Sequence, residues 1–268
     1  YLASKKINVI VLDNLKNGDL KNLRKVKKKI KFYKTDITKM KNLSKYMKKV
    51  DFVFHLAGLT ELLPSIKNPS EYFNVNTNGT LRVLEACRKS NIKKFIYVAS
   101  ASCYGDPKNF PISEAEKIKT SNPYALTKWI AEKMVIDWAK LYGLPSISLR
   151  LFNVYGKGLK KNGGYGSVMK IFLEQKQKNK PFTIVGSGNQ TRDFIHIGDV
   201  VKALYKASIS KHIGEVYNLG TGKETSIKKL SQIFGGKRVF KLQRKGEINR
   251  SVANINKIKK DLNWKPQI

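Results

Sequence analysis

One pattern narrows the fold more than any other: short apolar runs alternate with stretches of helical spacing. The runs are INVIVLD at 7–13, KIKFYK at 29–34, VDFVFHLAG at 50–58, KKFIYVAS at 93–100 and PSISLRLFNVYG at 145–156. Between them, KNLSKYMKK, the span from about Val75 to Ser90 and NPYALTKWIAEKMVIDWAKLYG, ending at Gly143, place their apolar residues on one helical face. Strand–helix alternation of this kind requires a parallel sheet covered on both faces. The expected fold class is therefore α/β, a doubly wound parallel sheet. After Gly156 the rhythm loosens into glycine-rich turns, a helix (SVMKIFLEQKQ) and short strands. A smaller C-terminal portion that faces a substrate is expected there.

The first run sharpens this. INVIVLD ends on Asp13 and is followed by the turn formers Asn14, Asn17 and Gly18. A strand closing on an acid is the second strand of a dinucleotide-binding unit, where the carboxylate holds the adenosine ribose about 20 residues beyond a glycine-rich phosphate loop. Counting back from Asp13 puts that loop ahead of Tyr1, with Tyr1–Lys6 as the tail of the intervening helix. The expectation is a Rossmann-like sheet whose first strand and glycine loop lie outside this span. Without the loop's backbone donors for a pyrophosphate, the span taken alone is expected to fold poorly at its sheet centre, bind dinucleotide weakly and turn nothing over. Residues 1–155 are expected to form the dinucleotide-binding domain, with returning segments near 190–220, and 156–189 and 221–268 the substrate-binding portion.

Charge raises a different possibility. Lys and Arg number 53 against 19 Asp and Glu, a formal net charge of +34. Such an excess suits a nucleic-acid or anionic-membrane binder. The lysines are scattered along the whole chain, however, and Lys, Asn and Ile are abundant together, as A/T-rich codons produce. A specific nucleic-acid or membrane partner is not expected, only attraction to polyanions at low salt. No apolar run reaches the ~18 residues that span a bilayer. Cys87 and Cys103 are the only cysteines and form no metal-spaced cluster, which favours a reducing, cytoplasmic setting. His55 and His196 read as packed strand residues rather than ligands, and Cys103 as a core residue.

The chemistry is carried by Tyr124 and Lys128 in NPYALTKW, four apart and so on one helical face. A cation beside the phenol is expected to lower its pKa from near 10 and make Tyr124 a general base. Ser100, ending KKFIYVAS, offers a hydroxyl on the rim where doubly wound sheets bind ligands.

In that context the chain resembles the extended short-chain dehydrogenases/reductases of the NAD-dependent epimerase/dehydratase family, and among them the nucleotide-sugar 4-epimerases similar to UDP-glucose 4-epimerase. The stretches that carry the resemblance are VIVLDNL, TDIT, VFHLAG, NVNTNGTLRVLEA, FIYVASASCYGD, NPYALTKWIAEK, LRLFNVYG, TRDFIHIGDVV, YNLGTG and RKGE…ANINKIKKDLNWKP, in family order over nearly the whole chain. It implies a catalytic set of Ser100, Tyr124 and Lys128, with Lys128 also bonding the nicotinamide ribose. Asp13 and Asn14 would hold the adenosine ribose and Asp36 and Ile37 flank the adenine. Leu56, Ala57, Gly58 and Asn76 would line the cofactor's path, and Phe152 border the nicotinamide. Asn153, Arg192 and Arg244 match residues that hold the sugar nucleotide, although Arg192 beside Asp193 also reads as a structural ion pair. Glu247 matches an acid that contacts the uridine ribose. The cofactor implied is NAD, since an acid at Asp13 discourages a 2′-phosphate; the partners implied are a UDP-hexose and a second copy of the chain.

The reaction implied is 4-epimerisation through a transient 4-keto sugar. Dehydratase relatives carry an acidic pair after the catalytic hydroxyl, whereas this chain reads Ser100-Ala101-Ser102-Cys103, which disfavours elimination of water. Four residues beyond Glu247, Ser251 stands where the family gates space for the sugar's C2 substituent; a small side chain there implies entry of UDP-GlcNAc and UDP-GalNAc beside UDP-glucose and UDP-galactose. A one-way nucleotide-sugar reductase or dehydrogenase is the first rival. A non-catalytic nucleotide- or polyanion-binding member of the fold is the second.

Overall fold

The computed structural model describes residues 1–39, 43–158, 168–242 and 248–268. Its strands are β1 (Val9–Asp13), β2 (Ile30–Lys34), β3 (Phe52–His55), β4 (Lys94–Ser100), β5 (Ser146–Leu151), β6 (Asn153–Tyr155), β7 (Phe182–Val185), β8 (Thr191–Arg192), β9 (Phe194–His196), β10 (Glu215–Leu219), β11 (Thr225–Ser226) and β12 (Arg238–Lys241). The α-helices are α1 (Ser44–Met47), α2 (Leu62–Lys67), α3 (Pro69–Tyr72), α4 (Gly79–Arg88), α5 (Pro123–Tyr142), α6 (Val168–Gln177), α7 (Ile197–Ser208), α8 (Ile227–Phe234) and α9 (Asn256–Leu262). The central sheet runs β10-β5-β4-β3, all parallel, and β1 and β2 form a separate parallel ladder. This is the α/β, Rossmann-like architecture expected.

The continuous apolar reading of KKFIYVAS has a direct structural cause. Successive strand side chains point to opposite faces. Phe95, Tyr97 and Ala99 enter a core with α4 and α5, while Ile96 and Val98 enter a second core with α7 and α9. Both faces are buried, so both sets must be apolar. A third, smaller core joins α6, β7 and α8 through Phe172, Phe182, Ile184, Ile227 and Leu230.

Helix α5, which carries Tyr124 and Lys128, is well bounded. Asn122 caps it by accepting from the Ala125 N–H at 2.9 Å, Pro123 occupies the first turn, and Gly143 ends it at φ +65°, where side chains are strained.

Two local expectations change, and one lysine-rich stretch takes a form that the sequence left open. PSISLRLFNVYG is two strands, because Phe152 turns into the core with its N–H on the Leu219 carbonyl, and Asn153 then takes the Asp193 carbonyl and pairs with β9. The helix expected from Val75 begins at Pro69 and passes through a π-helical turn, Phe73–Asn78, before α4; its Asn-rich sequence hid the apolar period. The lysine-rich LKNLRKVKKK folds as a 3₁₀ helix, Leu20–Lys29, capped by Asp19 and with no buried residue. Among the described residues no helix is long and apolar enough to cross a membrane.

Candidate active site

Within each ladder the strands are parallel and their carboxyl ends fall on one side; the Lys16–Glu71 ion pair and Ile37 packed beside Gly79 bring the ends of the two ladders together. Asp13 ends β1, Asp36 follows β2, Leu56, Ala57 and Gly58 follow β3, Ser100 ends β4, and Phe152 and Asn153 follow β5. Ligands of doubly wound sheets bind along such a rim.

At its β4 end, three hydroxyls meet. The Ser100 Oγ accepts from the Ser102 N–H at 3.2 Å and from the Ser102 hydroxyl at 2.9 Å. The phenol of Tyr124 lies against both: burial raises its pKa, and hydrogen bonding to Ser100 and then Ser102 opposes that rise. The Tyr124 N–H donates to Ser65 Oγ at 3.1 Å, and its ring meets Tyr72 edge-on, with centroids 6.5 Å apart. Lys128 is buried beneath the sheet. Its Nζ donates to the Val98 carbonyl at 2.5 Å and lies 4.3 Å from the Tyr97 ring centre. Burial brings its pKa down to about 7, against the opposing charge of Glu132.

This corrects one expectation. Lys128 was expected to lower the Tyr124 pKa, yet that pKa is raised. Helical spacing puts both residues on one face, but the lysine side chain runs under β4 to a carbonyl and a ring. Desolvation of the phenol therefore outweighs any help from the ammonium.

The other end of the rim is polar and locally braced. Asp13 Oδ1 accepts from the Leu15 N–H at 2.6 Å, and Asn14 Nδ2 donates to Asp36 at 3.0 Å. Asp36 also takes the Thr38 hydroxyl and N–H, and the hydroxyl bond is the main reason its pKa is lowered. These acceptors suit ribose hydroxyls and an exocyclic amine, and repel an extra phosphate. Between the two ends, Leu56 and Ala57 are exposed, and a Cβ on Gly58 would come within 3.1 Å of Asn76 Oδ1. Asn76 is buried and pins this loop: its amide bonds the Leu59 N–H, the Leu59 carbonyl and Thr127 Oγ1. A bare backbone beside an apolar path, ending in ribose-type acceptors, fits a dinucleotide. Ile37 packs into the core beside Gly79.

Of the residues expected to hold a sugar nucleotide, Asn153 donates its amide to the Asp193 carbonyl at 3.1 Å, and Arg192 Nη1 donates to the Thr191 and Ile248 carbonyls, each at 2.8 Å. The fully buried Asp193 carboxylate takes the N–H groups of Thr221, Gly222 and Ala253 and the Thr221 hydroxyl, a loop brace. Ser251 is half-buried between Arg250, which holds Glu224, and buried Val252. Arg244 and Glu247 lie outside the described residues. His55 is buried on Thr80, 2.8 Å away, with its pKa brought down to about 3 by burial, and His196 caps α7. Burial pushes the Cys103 thiol up to about 12, as a core residue requires. Among the described residues no cluster of His, Cys, Asp or Glu could hold a metal. Sequence reasoning missed Ser102, Ser65 and the Asn76 brace; only the hydroxyl-rich SASC stretch hinted at the first.

The NAD-dependent epimerase/dehydratase family model matches residues 1–220. A putative UDP-glucose 4-epimerase of Methanocaldococcus jannaschii is 36% identical over 100% of this chain and 88% of its own length. The solved UDP-N-acetylglucosamine 4-epimerase of Methanobrevibacter ruminantium, in complex with UDP-N-acetylmuramic acid, superposes with a TM-score of 0.93 at 30% identity, over 97% of this chain and 86% of that one. The UDP-glucose 4-epimerase of Thermotoga maritima with UDP-glucose gives 0.91 at 30% identity, over 100% and 88%.

Proposed function

Because the chain belongs to the NAD-dependent epimerase/dehydratase family, we propose that it interconverts the C4 epimers of a UDP-hexose, with Tyr124 as the acid–base group. The observation that carries this is the cluster of Ser100, Ser102 and Tyr124 hydroxyls at the end of β4, in a stretch without a carboxylate. In that reading Tyr124 removes and returns the proton of the C4 hydroxyl, while Ser100 and Ser102 hold the oxygen. A phenol kept protonated by burial is a competent acid for the return step, and becomes a base as hydrogen bonds form to its anion. NAD, when bound, would supply the hydride acceptor and donor for C4. Asp13, Asn14 and Asp36 would hold its adenosine end, Gly58 would leave room along its path, and Phe152 would border its reactive ring. Lys128 stands behind the phenol. Arg192 and Asn153 orient the diphosphate end of the substrate, and Arg244 and Glu247 complete that set.

Half-buried Ser251 supports a pocket that takes the N-acetylated pair as well as the plain hexoses. A homodimer is proposed on the same footing, with Leu141 and Tyr142, exposed at the end of α5, available to a second copy. Sedimentation at the mass of one chain would remove that part.

Proton NMR of the full-length protein with NAD+ and, separately, UDP-galactose and UDP-GalNAc tests the whole reading. Gluco-configured anomeric signals without consumption of added reductant are expected for both sugars. Net consumption of NADH would make it a reductase instead. Replacing Ser251 by Tyr is expected to abolish turnover of the N-acetylated pair and spare the plain one; equal loss of both refutes the gating role.

A further inference from the structure

The polar side chains beneath β4 and β5 form one connected layer that the acid–base chemistry does not by itself require. The ladder sets Tyr97 opposite Ser148 and Ala99 opposite Arg150, and α5 lies on that face. Tyr124, Lys128 and Glu132 are spaced four apart, so they form one stripe on the helix. Glu132 is buried and gripped. Arg150 Nε and Nη2 donate to its two oxygens at 2.5–3.1 Å, and Ser148 donates at 3.0 Å. Arg150 continues outward to the Tyr104 hydroxyl at 2.8 Å, and Tyr104 donates to Asn218 Oδ1 at 2.7 Å.

We propose that Glu132, locked in place by Arg150, is a positioning residue for Lys128: its fixed carboxylate, one helical turn away, favours the protonated side chain and seats it beneath Tyr97 and Val98, one turn from Tyr124. The inference rests on the reading in which Lys128 serves the Tyr124 chemistry.

The argument is one of charge in a dry layer. An ammonium without water keeps its proton only if fixed acceptors and anions replace solvation. The Val98 carbonyl and the Tyr97 ring supply dipoles, and Glu132 supplies the anion. The other groups facing Lys128 do not. His55, from β3, is neutral because burial holds its pKa near 3. Tyr97, from β4, is kept protonated by burial, as is Tyr124 from the same helix. Arg150, from β5, is a second cation, paired to Glu132 and bonded onward to the Tyr104 hydroxyl. With Glu132 the layer carries one net positive charge; with a neutral residue there it would carry two. Glu132 lies one helical turn from Lys128 on the same stripe, and its charge opposes the fall that burial imposes on the Lys128 pKa.

The test is a pH titration of the Lys128 side chain by lysine NMR on the full-length protein, its signal identified through Lys128→Arg, run beside the pH profile of kcat/KM. Glu132→Gln is expected to move the Lys128 midpoint to lower pH by about one unit, a tenfold change in its ionisation constant. The alkaline limb of the kcat/KM profile should shift with it. Glu132→Asp, which keeps the charge, should hold the midpoint near that of the unsubstituted protein even if kcat falls. A purely structural Glu132 would lower the unfolding temperature in both variants and leave both midpoints in place, and that result overturns the proposal. If Glu132→Gln does not fold, the Glu132→Gln/Arg150→Gln pair is compared with Arg150→Gln alone, so that only the carboxylate differs; an equal Lys128 midpoint in the two overturns the proposal. A Lys128 shift in a protein that turns over no sugar would leave the positioning role standing and refute the epimerase reading instead.

Discussion

Two parallel ladders deliver residues to the same rim, and they are built in opposite ways. In β4 and β5 nearly every side chain is buried, on both faces, between helices. In β1 and β2 no side chain is fully buried, and the 3₁₀ helix that joins them, Leu20–Lys29, buries nothing. The polar groups differ accordingly. Beneath β4–β5, Glu132, Arg150, Tyr104, Ser148 and Asn218 satisfy one another across four elements. At β1–β2, Asp13, Asn14 and Asp36 are braced by neighbours within a few residues or by each other. The proposed acid–base residues thus sit on the deeply buried ladder, and the ribose-type acceptors on a part whose geometry is local. A rigidly held Tyr124 phenol and a more compliant β1–β2 end are expected from that division.

The largest effect expected from this contrast is at Arg150. Replacing it by Met leaves Glu132 buried without its cation, and breaking a buried pair on one side costs about 3–5 kcal/mol. Chemical denaturation would measure it. A loss below about 1 kcal/mol would mean that water reaches the layer, and the contrast between the ladders would fail.

A medium effect is expected at His55, on the inner edge of the same sheet. Its folded pKa, near 3, lies below the ordinary value of 6.5. The unfolded chain therefore binds a proton that the folded chain refuses as pH falls through 6.5, and stability drops until the folded pKa is reached. Between pH 7 and pH 5 this single group removes about 2 kcal/mol. His55→Gln should erase that increment: the gap between its urea-derived stabilities at the two pH values should be smaller than that of the unsubstituted protein by this amount. Equal gaps would show that water or a proton already reaches His55.

What could be read in the sequence divides along the same line. Two-sided burial of β4 writes itself as an unbroken apolar run, and the spacing of Ser100, Tyr124 and Lys128 is a local pattern on one strand end and one helix. The Glu132–Arg150 pair is not local: its partners lie on α5 and β5 and meet only because α5 settles on that face of the sheet. The same holds for Asn76, whose amide braces Leu59 and Thr127 from inside a π-helical turn that no apolar period announces. Phe152 shows a third kind of blindness, since a strand that changes partner from β10 to β9 keeps its strand-like composition throughout. Spacing placed Lys128 on the right face, but only packing decided that its ammonium goes to Val98 and the Tyr97 ring rather than to the phenol.

The smallest effect, and the one that best sharpens the contrast, is expected at Asp36. Its carboxylate holds Thr38 and Asn14 at the open end of β2, where solvent competes for every bond. Half-exposed hydrogen bonds of this kind are worth about 0.5–1.5 kcal/mol each at most, and exposed polar pairs often less. Asp36→Ala should therefore change global stability by under about 1 kcal/mol, while amide exchange in Val9–Asp13 and Ile30–Lys34 speeds up and that of Lys94–Ser100 and Ser146–Leu151 stays as it was. The sign with pH follows from the lowered pKa of Asp36: its small contribution is present above the ordinary carboxylate range and fades as the group protonates below it. Uniform acceleration of exchange in both ladders would show that they open as one unit, and the division between a rigid β4–β5 ladder and a compliant β1–β2 ladder would then have to be abandoned.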